Sequence, residues 1–218
     1  MKFDKTSIGK AMELYAVTDR AWLKSGETLV QAVEQAILGG VTFVQLREKE
    51  LEHDAFLQLA LDVKEVCQRY GVPFVINDDV QIALESGADG VHVGQSDMAA
   101  AKARAVLGED AIIGVSVHTV EEALEAVRQG ADCLGVGTMF PTTTKPDAEG
   151  VSFDTLRNIC RQSGLPTVAI GGIGAHNIHK LSNTGICGVA VVSAVFAAPD
   201  IREVAAQLSK LVKEVKTI

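Results

Sequence analysis

The sequence predicts a (β/α)8 barrel, and two observations support this: an alternation of strand-like and helix-like segments, and a repeated glycine pattern. The apolar runs are unbroken by polar residues, which is typical of parallel strands covered on both faces. Eight such runs alternate with eight helix-like segments, and a right-handed βα repeat of that number closes into a barrel. An open doubly wound sheet is the alternative, and it requires fewer strands or a reversal of strand order.

The elements are placed by hydrophobic periodicity and by the turn residues between them. We expect strands at 14–18, 43–47, 73–77, 90–94, 112–116, 133–137, 166–171 and 188–193. We expect helices at 28–39, 54–70, 80–86, 98–107, 119–129, 152–163, 175–182 and 200–215. No shift of composition and no linker interrupts this order, so we expect one domain over residues 1–218.

Four similar stretches carry the glycine pattern: "ILGGVTFVQLR", "ESGADGVHVG", "RQGADCLGVG" and "NTGICGVAVVS". Each has a glycine after a helix-like segment and before a strand-like run, at Gly40, Gly87, Gly130 and Gly185. A glycine just past a helix end supplies the left-handed backbone that ends the helix. One helix start is also marked, because Thr119 with Glu122 three residues later predicts a capping box.

Composition excludes several classes of function. The chain has 218 residues and a formal net charge of −8, which argues against a nucleic-acid-binding surface but allows one basic pocket. The four cysteines show neither paired nor metal-ligand spacing, as expected for reduced thiols. The first residues lack a signal-peptide apolar region and no apolar tract is long enough to span a bilayer, so we expect a cytoplasmic protein acting on small molecules.

Two carboxylates are predicted to lie together at the rim where barrel strands end. Asp78 follows the third strand and Asp97 follows the fourth, and active sites of such barrels lie at this rim. Two carboxylates with water and a substrate oxygen suit Mg²⁺. The alternative is a pair of solvated acids.

A phosphate site is predicted on the opposite side of the rim. The "GGIG" turn follows the seventh strand, and "VVS" follows the eighth. Glycines let backbone N–H groups approach a phosphate, and a following helix N-terminus favours an anion. The alternative is that these glycines only make a tight turn.

The stretch "GTMFPTTTKPDAEG" follows the sixth strand and offers hydroxyls and one cation. Lys145 can contact a phosphate, and Arg47 and Lys49 approach from the other side. The alternative is a polar surface loop. Together these residues predict two anion sites, one for a monophosphate and one for a diphosphate bridged by Mg²⁺. No activated nucleophile is visible, so catalysis would rest on positioning and charge stabilisation.

Seven motifs in this order resemble the thiamine-phosphate synthase family over nearly the whole chain. They are "QLREK" at 45–49, "IND" at 76–78, "GVHVGQSD" at 90–97, "GVSVHT" at 114–119, "FPTTTKPDA" at 140–148, "AIGGI" at 169–173 and "VVSA" at 191–194. The resemblance implies a TIM barrel that joins 4-amino-2-methyl-5-hydroxymethylpyrimidine diphosphate to 4-methyl-5-(2-phosphoethyl)thiazole. The implied products are thiamine monophosphate and diphosphate, formed by a dissociative mechanism in which diphosphate leaves first.

The resemblance also implies roles for matching residues. Mg²⁺ would be held by Asp78 and Asp97, and catalysis would involve Lys145, Arg47, Lys49 and Ser116. The pyrimidine diphosphate would be bound by Gln45, Leu46, Arg47, Glu48, Lys49, Asn77, Ser116 and Lys145. The thiazole phosphate would be bound by Thr142, Thr143, Thr144, Gly172, Val192 and Ser193. One departure concerns the metal, because Asp79 stands where the family often has arginine and adds a negative charge nearby.

Two other functions are compatible with a barrel of this kind. Thiazole tautomerases share the fold and some motifs, and His118 could be their acid–base group. They need no diphosphate–metal site, whereas both acids and the complete threonine–lysine loop occur here, so the synthase is favoured. A non-catalytic barrel that binds a phosphate ligand would need only one anion site.

Overall fold

The computed structural model describes residues 5–142 and 150–217, and within these ranges eight parallel strands close into a barrel. Each strand pairs with the next along the chain, and β8 pairs with β1. The strands are β1 Leu14–Val17, β2 Phe43–Leu46, β3 Phe74–Asn77, β4 Gly90–Val93, β5 Ile112–Val117, β6 Cys133–Val136, β7 Thr167–Ile170 and β8 Gly188–Val191. The predicted barrel is therefore confirmed, and each strand falls within two residues of its expected position.

In the described residues, six helices connect consecutive strands, one precedes β1 and two follow β8. They are α1 Lys5–Ala11, α2 Leu29–Leu38, α3 His53–Tyr70, α4 Val80–Ser86, α5 Ala100–Leu107, α6 Val120–Arg128, α7 Phe153–Ser163, α8 Ser193–Phe196 and α9 Ile201–Thr217. The expected helix at 175–182 is wrong, because only a 3-10 turn forms at Ile178–Leu181. A 3-10 turn at Arg20–Trp22, together with α1 and α8, was not predicted.

The helix ends confirm most of the glycine pattern. Gly40, Gly87 and Gly130 have φ values of 108°, 61° and 81°, which is the left-handed region that glycine tolerates. Gly185 is also left-handed, at φ 85°, but it follows the short 3-10 turn and ends no α-helix.

The predicted capping box at α6 is only half formed. Thr119 accepts a hydrogen bond from the backbone N–H of Glu122 at 3.2 Å, as a capping residue should. The Glu122 carboxylate accepts instead from the N–H of His118, one residue before the cap. A complete capping box occurs at α2, where Thr28 and Gln31 bond reciprocally.

Two apolar clusters hold the barrel together. The outer cluster lies between strands and helices and includes Val44, Leu46 and Val91. The inner cluster fills the barrel with alternate residues of the same strands, including Tyr15 and Phe43. Ile8 of α1 and Met12, just after that helix, join it. Helix α1 thus closes the end of the barrel opposite to the strand carboxyl ends.

Side chains before β4 and β6 tie neighbouring strands together at this closed end. The Asp89 carboxylate accepts from the backbone N–H of Phe74 at 2.8 Å, and that of Asp132 accepts from the N–H of Ile113 at 2.8 Å. Arg104 donates to Asp132 and to the carbonyl of Ala111. These hydrogen bonds satisfy main-chain groups that have no partner in the sheet. The strand carboxyl ends lie at the opposite end of the barrel.

Two further expectations can be compared with the structure. None of the four cysteines forms a disulfide, as expected from their spacing. Among the described residues, no helix has the length and apolar character needed to cross a membrane.

Candidate active site

A cavity of about 470 Å³ opens at the carboxyl ends of the strands. It brings together residues from every strand except β4, and from the loops that follow the strands. The predicted site residues that line it are Gln45, Arg47, Lys49, Asn77, Asp78, Asp97, Ser116, Thr142, Gly172, Val192 and Ser193. Thr143, Thr144 and Lys145 lie outside the described residues.

The segment after β2 sends alternate residues to the cavity. Gln45, Arg47 and Lys49 line it, as the period of two along a strand requires. Leu46 points outward into the core between strands and helices and is fully buried. Glu48 does not line the cavity either, and its side chain is only 5% exposed.

The Glu48 carboxylate joins the β2 loop to the β1 loop. Arg20 donates to both of its oxygens, and the backbone N–H groups of Lys49 and Glu50 donate to it at 2.7 and 3.0 Å. Burial raises the pKa of Glu48, but the hydrogen bonds from Arg20, Glu50 and Lys49 outweigh it and hold that pKa below its usual range. The carboxylate therefore fixes the backbone that carries Lys49.

A second ion pair crosses between the same two loops. Asp19 Oδ2 lies 3.7 Å from Arg47 Nη1, so two adjacent residues of the β1 loop pair with two adjacent residues of the β2 loop. Thr18 Oγ1 also accepts from the backbone N–H of Arg47 at 3.0 Å. These contacts hold the Arg47 guanidinium at the cavity before any anion arrives.

The two predicted metal ligands do meet. Asp97 lies close enough to Asp78 for a side-chain hydrogen bond, and Lys49 Nζ lies 2.6 Å from Asp78 Oδ2. Burial raises the pKa of Asp78, and the neighbouring Asp97 raises it further against the lowering effect of Lys49. Asp78 also has a φ of 64°, a strained conformation for a non-glycine residue that is typical of functional sites.

This pair of acids fits a hard divalent cation that also takes substrate and water oxygens. Two adjacent carboxylates repel each other when both are ionised, so a bound cation would stabilise the pair. Within the ranges the structure describes, no group of three or more His, Cys, Asp or Glu side chains could hold a metal. Two carboxylates alone would not complete the coordination of Mg²⁺. Substrate phosphate oxygens and water usually supply the remaining ligands of Mg²⁺ in such sites.

Asp79 does not add to this pair. Its Oδ1 accepts from the backbone N–H of Ile82 at 2.9 Å and caps the N-terminus of α4. The departure noted in the sequence is therefore a helix cap, which explains why an acid is tolerated beside Asp78.

The fifth strand contributes a hydroxyl whose surroundings are fixed. The Ser116 carbonyl accepts from Gln95 Nε2 at 2.7 Å, and its Oγ lies 3.1 Å from His92 Nε2. His118 also lines the cavity, and its Nδ1 lies 3.3 Å from Glu122 Oε2. The sequence alone gave His92 no role.

The glycine turn after β7 packs beneath the loop that follows β6. Gly171 and Gly172 have φ values of 97° and 64°. A Cβ on Gly172 would lie 2.5 Å from the carbonyl oxygen of Pro141, and one on Gly171 would lie 2.7 Å from Thr138. The turn is therefore compatible with both predicted roles, a tight turn and a phosphate-binding backbone. The glycines allow the two loops to pack closely, and their backbone still faces the cavity.

The residues after β8 present main-chain donors at the same side. Val192 precedes α8, and Ser193 and Ala194 line the cavity. The first N–H groups of a helix have no partner within it, so they can serve an anion. This side of the rim offers backbone N–H groups and the Ser193 hydroxyl.

Two residues that were not predicted from the sequence hold residues of the β2 segment in place. Tyr15 Oη lies 2.6 Å from Gln45 Nε2, and Arg20 holds Glu48. Each pair joins residues about thirty positions apart. The inward alternation of β1 and β2 would have indicated the first pair, whereas nothing local indicates the second.

Comparison with known proteins gives one consistent result. A sequence profile of the family described as thiamine monophosphate synthase matches residues 14–195. The "Thiamine-phosphate synthase" of Ruminiclostridium cellulolyticum is 52% identical over 198 residues, which cover 91% of this chain and 94% of that protein. That of Clostridium tetani is 47% identical, over 92% of this chain and 96% of that protein.

A solved structure agrees with these sequence relatives. The thiamine phosphate pyrophosphorylase from Pyrococcus furiosus superposes with a TM-score of 0.88 at 37% identity, over 95% of this chain and 98% of that one. The profile spans every strand of the barrel and all the cavity-lining residues named above. The chain belongs to the thiamine monophosphate synthase family.

Proposed function

We propose that this protein joins 4-amino-2-methyl-5-hydroxymethylpyrimidine diphosphate to 4-methyl-5-(2-phosphoethyl)thiazole. The products are thiamine monophosphate and diphosphate. The observation that supports the proposal is one cavity with two different anion-binding sides. Arg47, Lys49 and the Asp78–Asp97 pair lie on one side. Gly172, Val192 and Ser193 lie on the other. The names of the relatives support the identity of the two heterocycles.

In this reaction the carbon–oxygen bond of the pyrimidine methylene breaks first, and its electron pair leaves with diphosphate. The thiazole nitrogen then donates its lone pair to the pyrimidine cation and forms the new carbon–nitrogen bond. No proton must be removed from that nitrogen, so the reaction needs no general base at the thiazole. Catalysis rests on orientation of the two substrates and on charge stabilisation.

The chain's own residues would neutralise and orient the leaving group. Arg47 and Lys49 supply positive charge from the β2 loop, and the Ser116 hydroxyl supplies a hydrogen bond from β5. Asp78 and Asp97 would hold Mg²⁺, which when bound offsets the charge of the departing diphosphate. From the loop after β6, Lys145 would contact the pyrimidine diphosphate, and the threonines at 142–144 would bind the thiazole phosphate.

The proposal has further parts that come from the sequence. It includes a cytoplasmic location, small-molecule substrates without a nucleic-acid or membrane partner, and one domain over residues 1–218. Asp78 and Asp97 as the metal ligands are part of it as well, together with the assignment of each cavity-lining residue to one substrate.

The experiment combines purified protein with both heterocycles and Mg²⁺, and it follows diphosphate and thiamine monophosphate. We expect both products in equal amounts and neither when a chelator is present. Release of diphosphate without thiamine monophosphate would indicate a hydrolase or another acceptor. Isomerised thiazole without diphosphate would indicate the tautomerase.

A further inference from the structure

His92 lies directly beneath the cavity and is almost completely buried. It belongs to β4, its residue is 5% exposed, and its ring Nε2 lies 3.1 Å from Ser116 Oγ. The other ring nitrogen, Nδ1, is fully buried and has no hydrogen-bond partner among the described residues. Buried polar atoms without a partner are rare and call for an explanation.

The space for this ring is made by two glycines of neighbouring strands. A Cβ on Gly114 would lie 2.4 Å from His92 Nδ1, and a Cβ on Gly135 would lie 3.2 Å from Nε2. The ring therefore packs against the bare main chain of β5 and β6. This packing fixes the ring plane and aims Nε2 at Ser116.

The ring is neutral, so it carries one N–H. A charged ring would carry an N–H on both nitrogens, and the buried Nδ1 has no acceptor among the described residues. Two neutral tautomers remain, and they differ in what Ser116 can do.

If the proton is on Nδ1, a buried N–H has no acceptor, and Ser116 must donate its hydroxyl hydrogen to Nε2. The serine would then turn only lone pairs towards an anionic substrate. If the proton is on Nε2, it donates to Ser116 Oγ, and the unpaired atom is an acceptor. Unpaired buried acceptors are less rare than unpaired buried N–H groups, and the serine hydroxyl hydrogen is then free to point into the cavity.

We infer that His92 is a positioning residue, which donates from Nε2 to Ser116 Oγ and thereby directs the Ser116 hydroxyl as a donor to a phosphate oxygen of the substrate. The identity of that substrate rests on the proposed function, but the tautomer does not. The backbone carbonyl of His92 also accepts from the N–H of Asp78 at 2.9 Å. One residue thus links the serine with the acid pair.

The tautomer can be measured directly. Protein labelled with ¹⁵N-histidine would be studied by NMR at neutral pH without substrate, and the His92 signals would be assigned by their loss in His92→Gln. We expect a proton on Nε2 and none on Nδ1. A proton on Nδ1, or on both nitrogens, would overturn the inference whatever the enzyme catalyses.

Three variants with matched shapes test the consequence for turnover. The amide nitrogen of His92→Gln can reach the place of Nε2, whereas that of His92→Asn reaches only the place of Nδ1. His92→Leu removes both nitrogens. We expect kcat to fall on the order of tenfold to a hundredfold in the asparagine and leucine variants, and the glutamine variant to recover most of it.

A mutant cycle with Ser116→Ala separates positioning from general damage to the fold. If His92 acts through Ser116, adding His92→Leu to Ser116→Ala should cause little further loss of kcat. If the loss of kcat in the double variant equals the product of the two single losses, the inference is contradicted. Equal activity of the glutamine and asparagine variants would also contradict it. Melting temperatures measured alongside identify any variant that merely fails to fold. Failure of wild-type protein to make thiamine monophosphate would defeat the proposed function and leave the tautomer measurement valid.

Discussion

The two sides of the cavity recognise anions by different means. On the β2–β4 side, Arg47, Lys49 and the Asp78–Asp97 pair are charged side chains. Arg47 and its neighbour Glu48 form ion pairs with the β1 loop, and Lys49 pairs with Asp78. On the β7–β8 side, the polar groups of the described lining are glycine backbone, the start of α8 and the Ser193 hydroxyl, beside apolar side chains. The first side suits a multiply charged leaving group, whose charge must be neutralised. The second suits a phosphate that is bound but takes no part in the bond changes.

The largest effect is expected at the acid pair. Asp78→Asn or Asp97→Asn should lower kcat by a factor on the order of a hundred or more, because the metal that neutralises diphosphate is lost. Steady-state rates of thiamine monophosphate formation measure this. Asp79→Asn is the matched control, since it makes the same change one residue away and asparagine caps a helix as well as aspartate. Full activity of Asp78→Asn in the presence of chelator would remove the metal from the mechanism.

An intermediate effect is expected at the glycine turn. Gly172→Ala places a Cβ in a left-handed backbone, 2.5 Å from the Pro141 carbonyl oxygen, and should displace the turn. The KM for the thiazole phosphate should rise about tenfold, while that for the pyrimidine diphosphate changes little. Gly130→Ala is the control, because its φ is 81° and an added Cβ meets nothing within 4 Å. Equal rises in both KM values would mean that the two sides are not separate.

A smaller effect is expected at the Arg20–Glu48 pair. Glu48→Gln keeps the shape but removes the charge that Arg20 binds, so Lys49 should be less well placed. We expect the KM for the pyrimidine diphosphate to rise by about threefold to tenfold, from a loss of about 1 kcal/mol. Asp154→Asn breaks the exposed Arg157 pair on α7 and should change neither KM. An unchanged KM in Glu48→Gln would show that the pair does not position the loop.

The smallest effect is expected at His118. Its ring is 38% exposed and contacts Glu122, and the proposed reaction removes no proton from the thiazole nitrogen. His118→Asn should therefore lower kcat by less than about tenfold, below the usual contribution of a general acid or base. Complete loss of activity with substrate binding intact would favour the tautomerase chemistry instead.

The strands and the rim could be predicted from sequence because their signals are local. Apolar runs mark β1 to β8, and parallel strands in a barrel bring Asp78 and Asp97 to one rim. The directions of Leu46 and Glu48 were not predicted, because a motif match assigns a whole segment, whereas a strand turns alternate residues away from the cavity.

Contacts between distant parts of the chain could not be read from the sequence. The Arg20–Glu48 pair joins residues 28 positions apart, and α1 closes the barrel through tertiary packing of Ile8 and of Met12, which follows the helix. The expected helix at 175–182 failed for a related reason. Asn177 bonds instead to the glycine turn, donating to the Gly172 carbonyl and accepting from the Gly174 N–H.

The difference between the two sides of the cavity is tested most directly by calorimetric binding of each substrate alone, with and without Mg²⁺. We expect the pyrimidine diphosphate to lose most of its affinity when the metal is chelated, because the acid pair then repels it. We expect the thiazole phosphate to bind equally well in both conditions, because backbone donors hold it. Loss of both affinities on chelation, or of neither, would contradict the division of the cavity into a metal-dependent side and a main-chain side.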